Sequence, residues 1–207
     1  MAELIIYGTL TSPPTRIARI AALEFGHDYE LKPMVWRVTP QDLFDLNPAG
    51  RVPILVHDSV VLWESRQIWS YIETLPDSRG PSSLRTTSMN SHWREANAVT
   101  LGYEVMSAMM TIRGMAEEPA ITSHPYLTRS AERRDRALRA LDQMACEGAL
   151  VEPGTFGLAE AVLICATDAL VGRNTIVMGD YPHLETVRNE HSRRKSMVAT
   201  LGVYAPG

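Results

Sequence analysis

The start of the chain alternates short apolar runs with amphipathic segments. Residues 4–7 predict a strand, a helix opens at Pro13-Pro14 and stops at Gly26, and residues 29–36 predict a second strand. A strand–helix–strand unit of about 30 residues is typical of two parallel strands joined by a crossover helix. The sequence therefore opens with a βαβ unit.

A hairpin pattern follows this unit. Thr39-Pro40 begin a short helix through Leu46. Residues 53–56 and 59–62 are apolar runs around the polar pair His57-Asp58, which predicts a hairpin with a two-residue turn. A helix is predicted from Glu64 to Leu75. The order β-α-β-α-β-β-α leaves room for a four-stranded mixed sheet.

Beyond a Pro/Gly/Ser cluster, only helical patterns occur. We predict an α+β domain over residues 1–76, a linker over 77–86, and an all-helical domain over 87–207. Within this last domain, predicted helices cover 87–116, 125–148, the almost wholly apolar stretch Leu158–Val171, and a segment from Pro182 to Arg193-Arg194-Lys195.

Composition excludes several classes of function. The 207 residues carry a net charge of −4 with a pI near 5.9, which argues against nucleic-acid binding. The two cysteines, Cys146 and Cys165, form no CxxC pair, and we expect both to be small buried side chains. No signal peptide, membrane-spanning run or histidine pair at metal-ligand spacing occurs, so we expect a soluble cytoplasmic protein without a metal.

Four short motifs lie along the chain in an order that a known family shares. Residues 47–55 (NPAGRVPIL) resemble a loop before a third strand, and residues 63–68 (WESRQI) resemble a Glu-Ser pair that starts a third helix. Residues 156–161 and 181–184 are similar to the start of a central helix and to the helix after it. In this order the motifs resemble the cytosolic glutathione S-transferase superfamily, in its bacterial, serine-type, tau/zeta/theta-like branch. That resemblance implies a thioredoxin-like N-terminal domain followed by helices.

The resemblance implies a glutathione cradle. A cis peptide at Pro53 would let the Val52 N–H and C=O pair with the cysteinyl backbone of glutathione. Ser65, at a helix N-terminus, would bind the γ-glutamyl carboxylate, with Glu64 near the ammonium and Arg51 near the glycyl end. Simpler alternatives are a strand-start proline, an N-cap serine and an exposed loop arginine.

Activation of the thiol needs a donor that prefers the charged sulfur. Ser12-Pro13 corresponds to the Ser-Pro of tau-like and many bacterial transferases, so Ser12 is our predicted catalytic residue. Tyr7, Thr9 and Thr11 are alternative donors, and a structural N-cap is the alternative role for Ser12. The first domain contains no cysteine, so thiol transfer through a protein thiol is not expected.

The second substrate needs an apolar wall. Tyr103, Met106 and Met110 fall at i, i+3 and i+7 of a helix, and with Tyr7 they are our predicted substrate-pocket residues. Core or dimer packing is the alternative for this stripe. Two motifs depart from the family: Gly157 stands where relatives have a capping Ser or Thr, so a side-chain cap is lost there. Arg194-Lys195-Ser196 stands where relatives often have Arg-Pro-Ser.

The resemblance implies a homodimeric transferase. It would activate glutathione as a thiolate, which attacks an electrophilic, hydrophobic small molecule by substitution or addition, as in detoxification. A glutathione-dependent lyase, isomerase or dehalogenase would share every residue named above. A non-catalytic binding protein of the same fold is the alternative from another class.

Overall fold

Contacts divide the chain into two units. The computed structural model describes residues 3–34, 41–79, 89–116, 124–148, 156–202 and 204. The first unit combines Met1–Ser83 with His191–Ala205, and the second consists of Leu84–Glu190 with Pro206–Gly207. The segment from His191 thus groups with the α/β part, whereas the sequence-based division placed it with the helices.

The first unit contains a mixed four-stranded sheet in the order β2-β1-β3-β4. β1 and β2 are parallel, whereas β3 is antiparallel to both β1 and β4. This arrangement confirms the predicted thioredoxin-like fold. The elements are β1 (Leu4–Gly8), α1 (Pro13–Glu24), β2 (Tyr29–Pro33), α2 (Gln41–Leu46), β3 (Ile54–His57), β4 (Val60–Trp63) and α3 (Ser65–Glu73).

The core of this unit follows from the periodicity of its elements. Alternate residues of β1 are buried, as expected for a strand with one face against helices. α1 packs against α3, and the rings of Phe25 and Trp69 meet edge to face at 5.7 Å between centroids. Fully buried aliphatic side chains fill the remaining space, among them Ile6, Ile17, Ile20, Ile54, Leu55, Ile68 and Ile72.

Several predicted boundaries in this unit are wrong, and α3 ends at Glu73 instead of Leu75. The hairpin turn lies at Asp58-Ser59, one residue later than predicted, because His57 still pairs with Val60. Asp58 adopts a φ of 53°, a conformation that aspartate tolerates better than most residues. α3 begins at Ser65 instead of Glu64. The predicted end of the second strand at Trp36, and Thr39-Pro40, lie outside the described residues.

The second unit is helical, as predicted. It contains α4 (Met89–Ala116), α5 (Pro125–Cys146), α6 (Leu158–Val171) and α7 (Pro182–His191). α4 packs against both α5 and α6. α6 is buried from Leu158 to Leu170, which confirms the predicted central helix. Its Glu160 side chain accepts from the Gly157 N–H at 2.8 Å, half of a capping box, since glycine has no side chain to return the bond.

The helix from Pro182 ends earlier than predicted. α7 stops at His191, and a separate helix, α8 (Lys195–Ala199), follows after Arg194. Arg194 forms two hydrogen bonds with the Glu24 carboxylate of α1, at 3.1 and 2.6 Å, and this tertiary contact replaces continuation of the helix. The predicted burial of Cys146 is also wrong, because it lies exposed at the last residue of α5, whereas Cys165 is buried.

Candidate functional site

Three segments leave the sheet side by side at one end. Tyr7, near the end of β1, pairs with Ile54 at the start of β3, and Ile54 pairs with Trp63 at the end of β4. The chain before Ile54 is Val52-Pro53, and the chain after Trp63 is Glu64-Ser65. The loop after β1 leads to Ser12 and α1. The register therefore gathers most predicted site residues at one sheet end.

Two helices also begin at this end. α1 starts after the β1 loop and α3 starts after β4, so both place their positive N-termini there. An anion or a developing negative charge is favoured at such a position. The site therefore suits a ligand that carries at least one carboxylate or thiolate.

Ser12 caps α1 in an unusual local setting. Its Oγ accepts from the Thr15 N–H at 3.3 Å, and its φ and ψ of −86° and 118° are those of an N-cap. Pro13 and Pro14 occupy the first two helical positions and have no N–H to offer. Since accepting from Thr15 uses a lone pair, the Ser12 O–H can still donate to a ligand.

The loop before β3 is held by Asn47. This side chain is buried, accepts from the Ala49 N–H at 3.0 Å and donates to the Arg51 carbonyl at 2.8 Å. Gly50 adopts a φ of 61°, and an added Cβ there would meet the Phe44 ring at 2.6 Å. The loop therefore presents Val52 in a defined position.

The peptide bond between Val52 and Pro53 is cis, which confirms the expectation from the resemblance. Pro53 is buried and Val52 is partly buried. Among the described residues, we find no main-chain hydrogen bond at the Val52 N–H or C=O. The main chain of Val52 therefore resembles an edge strand one residue long.

Glu64 and Ser65 form the third side of the site. Glu64 is exposed, has a φ of 66° and makes no side-chain cap to α3. Ser65 is fully buried as the first residue of α3. Because Glu64 does not cap the helix, the N–H groups of the first turn are not occupied by its side chain. This helix end is thus suited to an external carboxylate.

The alternative hydroxyls lie nearby in the chain but differ in setting. Tyr7 is partly buried, with the Lys32 ammonium 5.4 Å from its ring centroid. Thr9 accepts the Ser12 N–H through its carbonyl at 3.2 Å, and Thr11 is partly buried in the same loop. Arg51 is exposed.

The predicted substrate stripe belongs to the second unit. On α4, Met106 is buried, whereas Tyr103 and Met110 are partly buried. Its role as a pocket wall stays a prediction. Within the described residues, no group of three His, Cys, Asp or Glu side chains could hold a metal ion, and no described helix is long and apolar enough to cross a membrane.

Two supporting residues were missed at the level of sequence. Asn47 was noted only as a loop residue, although Asn before Pro-x-Gly is a known turn signal that could have identified it. Trp63 was noted only as part of a motif. Its indole Nε1 donates to the Leu46 carbonyl at 2.7 Å, which ties the end of α2 to the residue that precedes Glu64. Nothing in the local sequence indicates that contact.

Comparison with known proteins identifies the family. Residues 6–81 match the family model for the N-terminal domain of glutathione S-transferase. The chain is 30% identical, over 195 residues, to the uncharacterized GST-like protein YibF of Escherichia coli (strain K12), with 91% of this chain and 94% of that protein covered. The chain therefore belongs to the glutathione S-transferase superfamily.

Solved structures show the same fold over nearly the whole chain. A glutathione S-transferase from Methylobacillus flagellatus KT, with glutathione bound, matches with a TM-score of 0.84 at 22% identity, covering 99% of this chain and all of that one. A glutathione S-transferase from Methylobacterium radiotolerans JCM 2831, in complex with glutathione sulfonate, also has a TM-score of 0.84, at 19% identity, with 99% and 97% covered.

Proposed function

We propose that this protein is a glutathione transferase in which Ser12 stabilises the glutathione thiolate. The observation that supports it best is the geometry of Ser12, whose oxygen caps α1 while its O–H stays a donor. Because Pro13 and Pro14 have no N–H, two main-chain donors that could otherwise bind an anion are missing at this helix end. The hydroxyl therefore becomes the main hydrogen-bond donor there, and a donor to sulfur favours thiolate over thiol.

The rest of the tripeptide would be held by the remaining segments of the site. Val52 would pair with the cysteinyl backbone, and Ser65 with the first turn of α3 would bind the γ-glutamyl carboxylate. Glu64 would accept from the γ-glutamyl ammonium, and Arg51 would face the glycyl carboxylate. The bound glutathione and glutathione sulfonate of the two bacterial neighbours support a ligand of this class.

The reaction would proceed through the thiolate. The thiol proton leaves to solvent, and the sulfur lone pair forms a C–S bond with an electrophilic carbon. The displaced electron pair departs with a leaving group or moves to the far atom of a polarised double bond. Tyr7 is the proposed contact of the α/β unit for an apolar electrophile. A cytoplasmic location is proposed with this activity.

The test is a titration of bound glutathione followed by thiolate absorbance in the ultraviolet. In the native protein we expect a pKa below the free-thiol value of about 8.5. Ser12→Ala should return the pKa towards that value and lower kcat for an activated aryl chloride by about 100-fold, a usual effect of deleting one such donor. The KM for glutathione should change little.

Ser12→Thr is the matched control because it keeps both the hydroxyl and the cap, and it should retain the low thiol pKa. Thermal unfolding of both variants accounts for the cap itself, whose loss costs about 1 kcal/mol. If bound glutathione titrates in Ser12→Ala as it does in the native protein, the residue that stabilises the thiolate is instead Tyr7, Thr9 or Thr11. Glutathione binding without turnover of any electrophile would instead support the non-catalytic alternative, and absence of binding would reject the proposal.

A further inference from the structure

The segment around α8 is fastened to α1 by buried arginines. Arg16 is 1% exposed, and its Nε donates to the Thr200 hydroxyl at 3.3 Å while one terminal nitrogen donates to the Met197 carbonyl at 3.2 Å. Arg19 donates to the carbonyls of Ala199 and Thr200 at 3.2 and 3.4 Å. These carbonyls form the C-terminal end of α8, where positive charge is favoured.

A second set of contacts fastens the other end of α8. Arg194, the N-cap residue, forms its two hydrogen bonds with Glu24, and the Ser196 hydroxyl donates to the same carboxylate. Glu24 and Arg16 lie two turns apart on α1, so both ends of α8 are held along one helix. The residues that follow Thr200 are therefore guided to the N-terminal side of α1.

At that position the chain touches the loop that bears Ser12. A Cβ placed on Gly202 would lie 2.7 Å from the Leu10 carbonyl oxygen, which is closer than real Cβ contacts. Only glycine allows this approach of two main chains. Leu10 is two residues before Ser12, and its side chain is 52% exposed, so side-chain burial does little to fix the loop.

Main-chain hydrogen bonds hold the loop at both of its ends. Its internal main-chain hydrogen bond among the described residues runs from the Ser12 N–H to the Thr9 carbonyl, at 3.2 Å. Met34, after β2, donates to the Gly8 carbonyl at 2.9 Å and fixes the end of β1. Between these points, the main chain at Gly202 approaches Leu10 from outside the loop.

We infer that residues 195–202 position the catalytic loop, with Gly202 setting the place of Leu10 and hence of the Ser12 hydroxyl. Gly202 is a positioning residue that acts through Leu10 and Ser12. Arg16 and Arg19 hold the segment in place. This inference rests on the proposed function, since it concerns the same hydroxyl.

The main test is Gly202→Ala in the full-length protein. The methyl group has to displace a main-chain segment, so the Ser12 hydroxyl moves relative to the sulfur. We expect the pKa of bound glutathione to rise towards the free-thiol value and kcat to fall at least about tenfold, since a misplacement of 1 Å costs on the order of 100-fold. The KM for glutathione should stay close to native, because the cradle at Val52 and Ser65 is not touched.

Gly179→Ala is the matched control, since a Cβ there has nothing within 4 Å and the glycine has no positive φ. It should titrate as the native protein does. Thr200→Val is a milder second variant that removes the acceptor of Arg16 Nε, and it should shift the thiol pKa in the same direction by less. It keeps the test decisive if Gly202→Ala does not fold.

The outcomes separate the two proposals. If Ser12→Ala alters the thiol pKa while folded Gly202→Ala and Thr200→Val both match the native protein, the inference is overturned and the proposed function stands. Loss of glutathione binding in Gly202→Ala would also overturn it, because a general structural role would then explain the effect. If the native protein does not bind glutathione, the proposed function itself fails.

Discussion

At the scale of single residues, Glu64 has the least favourable backbone in the candidate site. Its φ of 66° with a ψ of 120° is a conformation that residues other than glycine rarely adopt. Such residues cost about 1–3 kcal/mol each and persist where the surroundings determine them. Here the flanking elements are fixed, because Trp63 pairs with Ile54 in the sheet and Ser65 is buried in α3.

Two substitutions of Glu64 should separate the strain from the carboxylate. Glu64→Gly relieves the backbone and removes the charge, whereas Glu64→Ala removes the charge and keeps the strain. We expect Glu64→Gly to have a free energy of unfolding about 1 kcal/mol higher than Glu64→Ala, by urea denaturation. Both should bind glutathione more weakly than the native protein, measured by calorimetry. Equal stabilities would show that the conformation costs nothing.

The sequence identified the site residues that belong to short motifs, because a motif is a local pattern. Ser12, Val52 and Ser65 were found in this way, and the register of the sheet then places them at one end. The contacts of Arg16 and Arg19 on α1 could not be predicted from the sequence. Arg16 contacts Thr200 across 184 positions of sequence, and no local pattern reports such a contact. From the sequence alone, an arginine that becomes buried cannot be distinguished from one that stays exposed.

At the scale of elements, the contact between α4 and α6 buries a carboxyl group. Glu95 of α4 is 1% exposed, and its Oε2 has no hydrogen-bond partner among the described residues. Burial, and secondly the negative charge of Glu160 on α6, raise the pKa of Glu95 from 4.5 to about 7. The folded protein therefore holds a proton there that the unfolded chain releases at lower pH.

This proton makes stability depend on pH in a definite direction. The stabilising contribution is fully present below pH 4.5 and is lost as pH rises to about 7. The total loss is about 3 kcal/mol, from 1.36 kcal/mol per unit of pKa shift. Glu95→Gln cannot ionise and should flatten the pH dependence of the urea unfolding free energy. If the unfolding free energy of Glu95→Gln depends on pH as in the native protein, the raised pKa of Glu95 is not the cause.

Elements were predicted best where burial is uniform and worst where tertiary contacts set the boundary. The limits of α6 were predicted to the residue because its apolar stretch is continuous. The hairpin turn was displaced by one residue because an apolar run does not show where pairing stops. α7 was predicted too long because the Glu24 carboxylate, which draws Arg194 out of the helical path, lies 170 residues away.

At the scale of the whole molecule, the first unit carries exposed apolar side chains around its sheet edge. β4 is an edge strand, and Val61 and Trp63 on it are 38% and 42% exposed. Phe44 of α2 is 42% exposed. Apolar side chains on an open strand are unfavourable in water and favour association. They support the proposed homodimer.

Sedimentation velocity tests this assembly. The native protein should sediment with twice the chain mass of 23.0 kDa. Val61→Lys places a charge on the edge strand, away from Ser12 and the cradle loop, and should shift the equilibrium towards monomer by at least about tenfold in Kd. Val177→Lys, at a 69% exposed position of the second unit, is the control and should leave the dimer intact. A native monomer would reject the proposal.

The return of residues 191–202 to α1 has a consequence for biosynthesis. The ribosome produces Leu84–Glu190 between the two parts of the first unit, a delay on the order of 10 s at about 5–20 residues per second. Until then Arg16 and Arg19 lack the carbonyls that hold them. The α/β unit therefore stays incomplete on the nascent chain while the helical unit emerges, and an isolated N-terminal fragment would lack the acceptors that Arg16 and Arg19 have in the full chain.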